Sequence, residues 1–150
     1  MKISFVYDHA YPYTKGGAEK RIFEYAKIIA SDNNTVEIAC MKWWEGDLLV
    51  REGGMNYRGI CPKLALYNKR GKRKIMPGFI FGIKAFFYAL KSDADIFDVE
   101  IFPYFPVIFM RLAVSFKRKR PKIIGYWSEC LGLKSWKKQS DFFWWAGLLL

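Results

Sequence analysis

The chain has 150 residues, enough for one domain with a single sizeable core. Its 52% hydrophobic content excludes a disordered chain, and its 19% aromatic content is heavy for a domain this small, so part of it is expected on a surface that meets another apolar body. The net charge of +11 points to partners that carry phosphate: nucleic acid, anionic lipid or a phosphorylated small molecule.

Lys2 to Tyr7 reads as a buried strand. It begins straight after Met1, without a charged leader and long apolar run, so no signal peptide is expected. Gly17 to about Ala30 reads as a helix, with Ala18, Ile22, Ala26 and Ile29 on one face and Glu19, Lys20, Glu24 and Lys27 mostly opposite. Asp32-Asn33-Asn34 stops it, and Thr35 to Met41 reads as the next strand, as a parallel β-α-β unit requires. Leu48 to Arg51 and Met55 to Ile60 read as short strands around Gly53-Gly54.

The basic loop "YNKRGKRKIMPG" follows, with Pro77 expected to open a helix at its first position. From Phe79 to Leu90 that helix is apolar nearly all round, and at about 14 residues from Pro77 it falls short of the roughly 20 needed to cross a bilayer. It is either a core helix or one that faces a membrane surface. Asp95 to Phe102 reads as a strand ended by "PYFP", Val107 to Phe116 as a helix, and Lys122 to Trp127 as the last strand. "DFFWWAGLLL" looks like the opening of a further helix that stops without a cap, as if the chain were cut short or continued in a partner.

Strands alternating with helices imply a Rossmann-like, doubly wound α/β domain: a mostly parallel sheet with helices on both faces. Ligands of such sheets gather beyond the carboxyl ends of the strands. Three segments meet that condition: the loop 8–17, "FPYFP" at 102–106 and "WSECLG" at 127–132.

Gly16-Gly17 heads the first helix, where unpaired N–H groups and the helix dipole attract an anion and glycine lets one come close. Neither a G-x-G-x-x-G fingerprint nor a G-K-[ST] phosphate loop is present, so on the doublet alone a tight turn is the simpler reading. Cys40, Cys61 and Cys130 are odd in number and widely spaced, and His9 is the sole histidine. Neither a zinc site nor a disulfide framework is expected, which suits a reducing, cytoplasmic compartment.

"KISFVYDHAYPYTKGGAEKRIFEYAKIIA" resembles the opening of family-4 glycosyltransferases of the GT-B fold, with a strand, a loop containing "YP" and "GGAE" at the head of a helix. "YRGICPKLALYNKRGKRKI", "FDVEIFPYFPVIFMRLA" and "IIGYWSECLGLKSW" are similar, in the same order, to later segments of the acceptor-side, N-terminal domain of that family. The resemblance implies a retaining enzyme that moves a sugar from a nucleotide-sugar donor to a glycan or lipid-linked acceptor. It gives Gly16 and Gly17 a role in closing on the donor from across a cleft, and places Trp127, Ser128 and Glu129 on the acceptor side.

Many members of that family carry a histidine where this chain has Ser128, and serine has no useful basicity near neutral pH. Glu129 is then the candidate to accept a proton, or else a solvated loop carboxylate. Tyr104 and Phe105 either stack on a sugar ring or simply pack. No metal is implied, and no cofactor is expected to bind this domain alone. The donor grip of a C-terminal domain has no counterpart, so the chain by itself is expected to be inactive, as a fragment, as one subunit of a split enzyme or as a degenerate acceptor-binding module.

The runs 69–74 and 117–122 are either solvated loops or the means of peripheral attachment to an anionic membrane at its inner face. A non-catalytic module that binds such a surface or a partner subunit is the alternative function. A nucleic-acid binder fits the charge in outline, but no RNA-recognition, KH or helix-turn-helix pattern supports it.

Overall fold

The structure is a computed structural model that describes residues 1–102 and 104–127. Its elements in chain order are β1 (Lys2–Val6), α1 (Gly17–Ser31), β2 (Thr35–Lys42), β3 (Leu49–Glu52), β4 (Met55–Pro62), α2 (Ile75–Lys91), β5 (Ile96–Glu100), α3 (Phe105–Ser115) and β6 (Lys122–Tyr126). The six strands form one sheet in the order β3-β4-β2-β1-β5-β6. All pairings are parallel except β3 with β4. The domain is α/β with helices on both sheet faces, as the alternating pattern predicts.

Strand alternation sends successive side chains to opposite faces and so builds two cores. Ile3, Phe5, Val36, Ile38, Cys40, Met55 and Tyr57 meet Ile22 and Ala26 of α1 on one face. Val6, Ala39, Met41, Phe97 and Val99 meet Phe81, Ala85 and Ala89 of α2 and Met110 and Ala113 of α3 on the other. Burying each of these large apolar side chains contributes roughly 1.5–3 kcal/mol.

Three local devices shape this frame. Gly53 and Gly54, both at positive φ (59° and 80°), form the two-residue hairpin turn between β3 and β4 that favours glycine at both positions. Gly82 lets α3 come against α2: a Cβ there would lie 2.8 Å from a Phe109 ring carbon and 2.9 Å from the Phe105 Cβ. Lys117 caps α2 at its far end, its ammonium donating to the carbonyls of Ala89 (2.9 Å), Leu90 (3.2 Å) and Ser92.

Several expectations are corrected. The apolar helix starts at Ile75, so Pro77 is its third residue and not its first. The missing N–H still costs nothing there, because the first turn has no acceptor for it. The helix after "PYFP" starts at Phe105 with Pro106 second, two residues earlier than expected. Glu19, expected on the solvent side of α1, is 7% exposed. It is the third helical residue, and its carboxylate folds back over the first turn against Gly16, where no Cβ keeps it away. The expected helix in "DFFWWAGLLL" lies outside the described residues.

Candidate functional site

The chain leaves β1 toward β2 on one side and leaves β5 toward β6 on the other, so the strand order reverses between β1 and β5. Open α/β sheets bind ligands at that crevice, beyond the carboxyl ends of the strands. The residues just past β1 are Tyr7, Asp8 and His9; those past β5 are Ile101 and Phe102, followed by Tyr104; that past β6 is Trp127.

Asp8 organises the crevice. Its side chain is fully buried, one oxygen bonded to His9 Nδ1 at 2.7 Å and the other paired with the Arg73 guanidinium. Its backbone carbonyl accepts the Trp43 indole N–H at 2.8 Å and the Met41 amide at 3.3 Å. Burial pushes the Asp8 carboxyl upward, but the Arg73 charge and the His9 bond outweigh it, and the group titrates below the usual carboxylate range. Burial alone would lower Arg73; Asp8 reverses that and raises it. The pair is therefore ionised on both sides.

This corrects one reading of the basic loop as solvated. Arg73 belongs to the 69–74 run, yet its side chain is 8% exposed, turned inward onto Asp8. Lys69, Arg70 and Lys74 of the same run are exposed. In the second run, Lys119 pairs with Asp95, and Lys117 is consumed by the helix cap.

From Asp8 a line of contacts crosses the carboxyl edge of the sheet. Trp43 stacks on His9 at 5.2 Å and His9 bonds to Asp8. Asp8 pairs with Arg73, whose guanidinium lies 5.0 Å from the Phe102 ring. Phe102 meets Tyr104 edge-on at 6.0 Å, and Tyr104 meets Trp127 at 6.0 Å. The line runs from the end of β2 to the end of β6 and brings Tyr104 and Trp127 onto one rim with His9.

A second clamp lies beneath it. Arg21 of α1 donates to Glu100 at 2.6 Å and stacks on the Tyr126 ring, guanidinium carbon to ring centroid 3.3 Å. The Glu100 side chain is 1% exposed. This clamp fixes the head of α1, and with it the glycine doublet, relative to the ends of β5 and β6.

The two glycines differ. Gly16 has extended backbone (φ −162°), and a Cβ on it would lie 2.3 Å from Glu19 Oε2, so the protein's own carboxylate fills the space over it. Gly17 is exposed, with nothing within 4 Å of where its Cβ would be. The fold does not need glycine at 17.

Of the other expected site residues, Phe105 is the first residue of α3 and packs edge-on against Phe79 at 5.5 Å, in the contact between helices. Ser128 and Glu129 lie outside the described residues. Among the described residues, no group of three His, Cys, Asp or Glu could hold a metal ion, and no helix is long and apolar enough to cross a membrane.

Sequence reasoning missed Asp8, Arg21, Trp43, Arg73 and Glu100. Asp8 left one signal, a charged residue directly after a buried strand. Arg73 left none, because its partner is 65 residues away. No protein-family model matches the sequence, and no curated protein matches it.

Proposed function

We propose that this chain is the acceptor-side half of a retaining glycosyltransferase of GT-B architecture, completed by a second Rossmann-like domain that holds the nucleotide-sugar. The observation that carries the reading is the line of contacts from Trp43 through His9, Asp8, Arg73, Phe102 and Tyr104 to Trp127 along the carboxyl edge. Aromatic rings beside a polar network suit a sugar, whose C–H faces stack while its hydroxyls hydrogen-bond.

In this reading Trp127 and Tyr104 hold the acceptor ring. Gly17, uncrowded at the head of α1, is where the donor's diphosphate approaches from the opposing domain. The family it resembles has a histidine where this chain has Ser128, which lies outside the described residues, and in this reading His9 supplies an imidazole at the carboxyl edge of the sheet instead. Its Nδ1 is held by Asp8, and its other ring nitrogen has no partner among the described residues. A carboxylate that fixes one ring nitrogen leaves the other positioned to take a proton from a hydroxyl.

Two measurements test this. The isolated chain, given nucleotide-sugar donors and glycan acceptors, transfers no sugar; transfer by this polypeptide alone overturns the half-enzyme reading. Saturation-transfer NMR with soluble oligosaccharides shows contacts that Trp127→Ala and Tyr104→Ala remove; contacts that survive both substitutions overturn the acceptor site.

A second reading, attachment to an anionic membrane surface, is favoured by one observation. Helices α2 and α3 contain no acidic residue, carry Lys84, Lys91 and Arg111, and expose Phe79, Phe87, Ile108 and Leu112. Vesicle flotation decides it: equal recovery with neutral and anionic lipid removes the electrostatic attachment.

A further inference from the structure

Away from the crevice, a cleft of about 360 Å³ runs along the flank of the sheet between α2 and β4. Its size lies within the range of small-molecule sites. Its floor holds an unusual group for an apolar sheet face, the Glu37 carboxylate, whose side chain is 5% exposed. Glu37 Oε1 accepts the Tyr88 hydroxyl at 2.6 Å, and the Tyr88 oxygen also lies 2.7 Å from Ser4 Oγ. Glu37 Oε2 accepts Arg58 Nε–H at 3.0 Å.

A buried carboxylate costs several kcal/mol unless it is paired. Its geometric effect is to fix Arg58. With Nε taken, the plane of the guanidinium is set, and its two Nη groups have no acceptor among the described residues. The Arg58 side chain is 40% exposed and lines the cleft.

The facing wall is α2. Lys84 and Lys91 stand about two turns apart on it, both exposed, and neither has an acceptor among the described residues. Lys2, also at the cleft, is paired with Asp93. Between the two lysines Phe87 is 53% exposed, and Leu48 and Ile60 complete the apolar lining.

We propose that this cleft is a second ligand site, for a small phosphate ester that carries a ring or apolar group. The Glu37-oriented Arg58 fork and the two lysines take the phosphate oxygens, and Phe87 takes the ring. The site is independent of the glycosyltransferase reading and shares no residue with the crevice.

Backbone-amide NMR titration of the whole chain with phenyl phosphate tests it. Shifts are expected at Arg58, Lys84, Phe87 and Lys91, at lower concentration than inorganic phosphate requires. Lys84→Ala/Lys91→Ala is expected to weaken binding roughly tenfold with an unchanged urea midpoint, losing charge-assisted bonds without touching the core. Arg58→Gln is expected to weaken it as well, and the lysine pair serves as the readout where Glu37 left unpaired lowers stability. Pelleting with phosphatidic-acid vesicles separates the sources. Co-sedimentation that phenyl phosphate competes away and the lysine double variant abolishes assigns the phosphate to a lipid headgroup; binding of the soluble ester alone assigns it to a free metabolite, and both uphold the site. No shifts at millimolar phenyl phosphate, shifts confined to Arg73 and Trp127, or undiminished binding by the lysine double variant overturn it.

Discussion

Arg73 and Asp8 meet as a buried ion pair across 65 residues of chain, and the pair joins the loop before α2 to the carboxyl end of β1. With side-chain exposures of 8% and 0%, neither charge has water as an alternative partner. Removing one side is therefore worse than removing both. Asp8→Asn or Arg73→Met alone is expected to lower stability by about 3–5 kcal/mol, and the double variant by clearly less than the sum. Urea denaturation of the four proteins checks this; additive losses would show that the pair has no coupling.

The same pair sets an acid limit. The Asp8 carboxyl is held low in the folded chain, burial being outweighed by Arg73 and His9. The unfolded carboxyl titrates near ~3.9, so above that value the pair contributes fully, and its contribution is lost as pH falls toward the folded value. Stability against urea is expected to decline more steeply below about pH 4 in the native sequence than in Asp8→Asn. Equal slopes in the two proteins would exclude Asp8 as the titrating group.

Glycine positions separate folding from function. Gly82→Ala places a Cβ against Phe105 and Phe109, including the Phe105 backbone, and is expected to cost about 1–3 kcal/mol in thermal or urea unfolding. Gly17→Ala meets open space and is expected to be neutral or stabilising by up to about 1 kcal/mol. On the glycosyltransferase proposal, loss of sugar transfer on Gly17→Ala in the chain joined to a donor-binding domain, with stability kept, reports the approach of a ligand to that turn. A large loss of stability at 17 would refute the open position.

Tyr88→Phe removes one hydroxyl and strands two groups, Glu37 Oε1 and Ser4 Oγ, inside the sheet face. A loss of about 1–3 kcal/mol is expected, because a buried acceptor, Glu37 Oε1, and a buried donor, the Ser4 hydroxyl, lose their shared partner while the packing volume stays nearly the same. Replacing Glu37 with Gln in the Tyr88→Phe background is expected to recover part of it, since a neutral amide costs less to bury than a carboxylate. No recovery would mean that the loss came from packing.

Much of the fold was legible because its signals are local. The apolar runs of β1 and β2, the helical spacing of Ile22 and Ala26, the glycine pair of the β3–β4 hairpin and the prolines near the starts of α2 and α3 each act within a few residues. Tyr104 and Trp127 could be picked for the same reason: they follow strands, and strand ends point to one edge of a parallel sheet. Phe105 could not be told from them, because one residue decides whether an aromatic ends a loop or begins a helix that packs.

Sequence by itself determined the order of elements and the layered α/β architecture, since hydrophobic periodicity is written along the chain. Tertiary structure alone decided which charges turn inward. Arg73 reads like its exposed neighbours Lys69 and Arg70, and Glu37 and Glu19 read like any surface carboxylate, yet all three are buried because a partner or an empty space awaits them elsewhere in the fold. A charge enters an interior only where another group compensates it, and that group is fixed by which distant segments the sheet brings together.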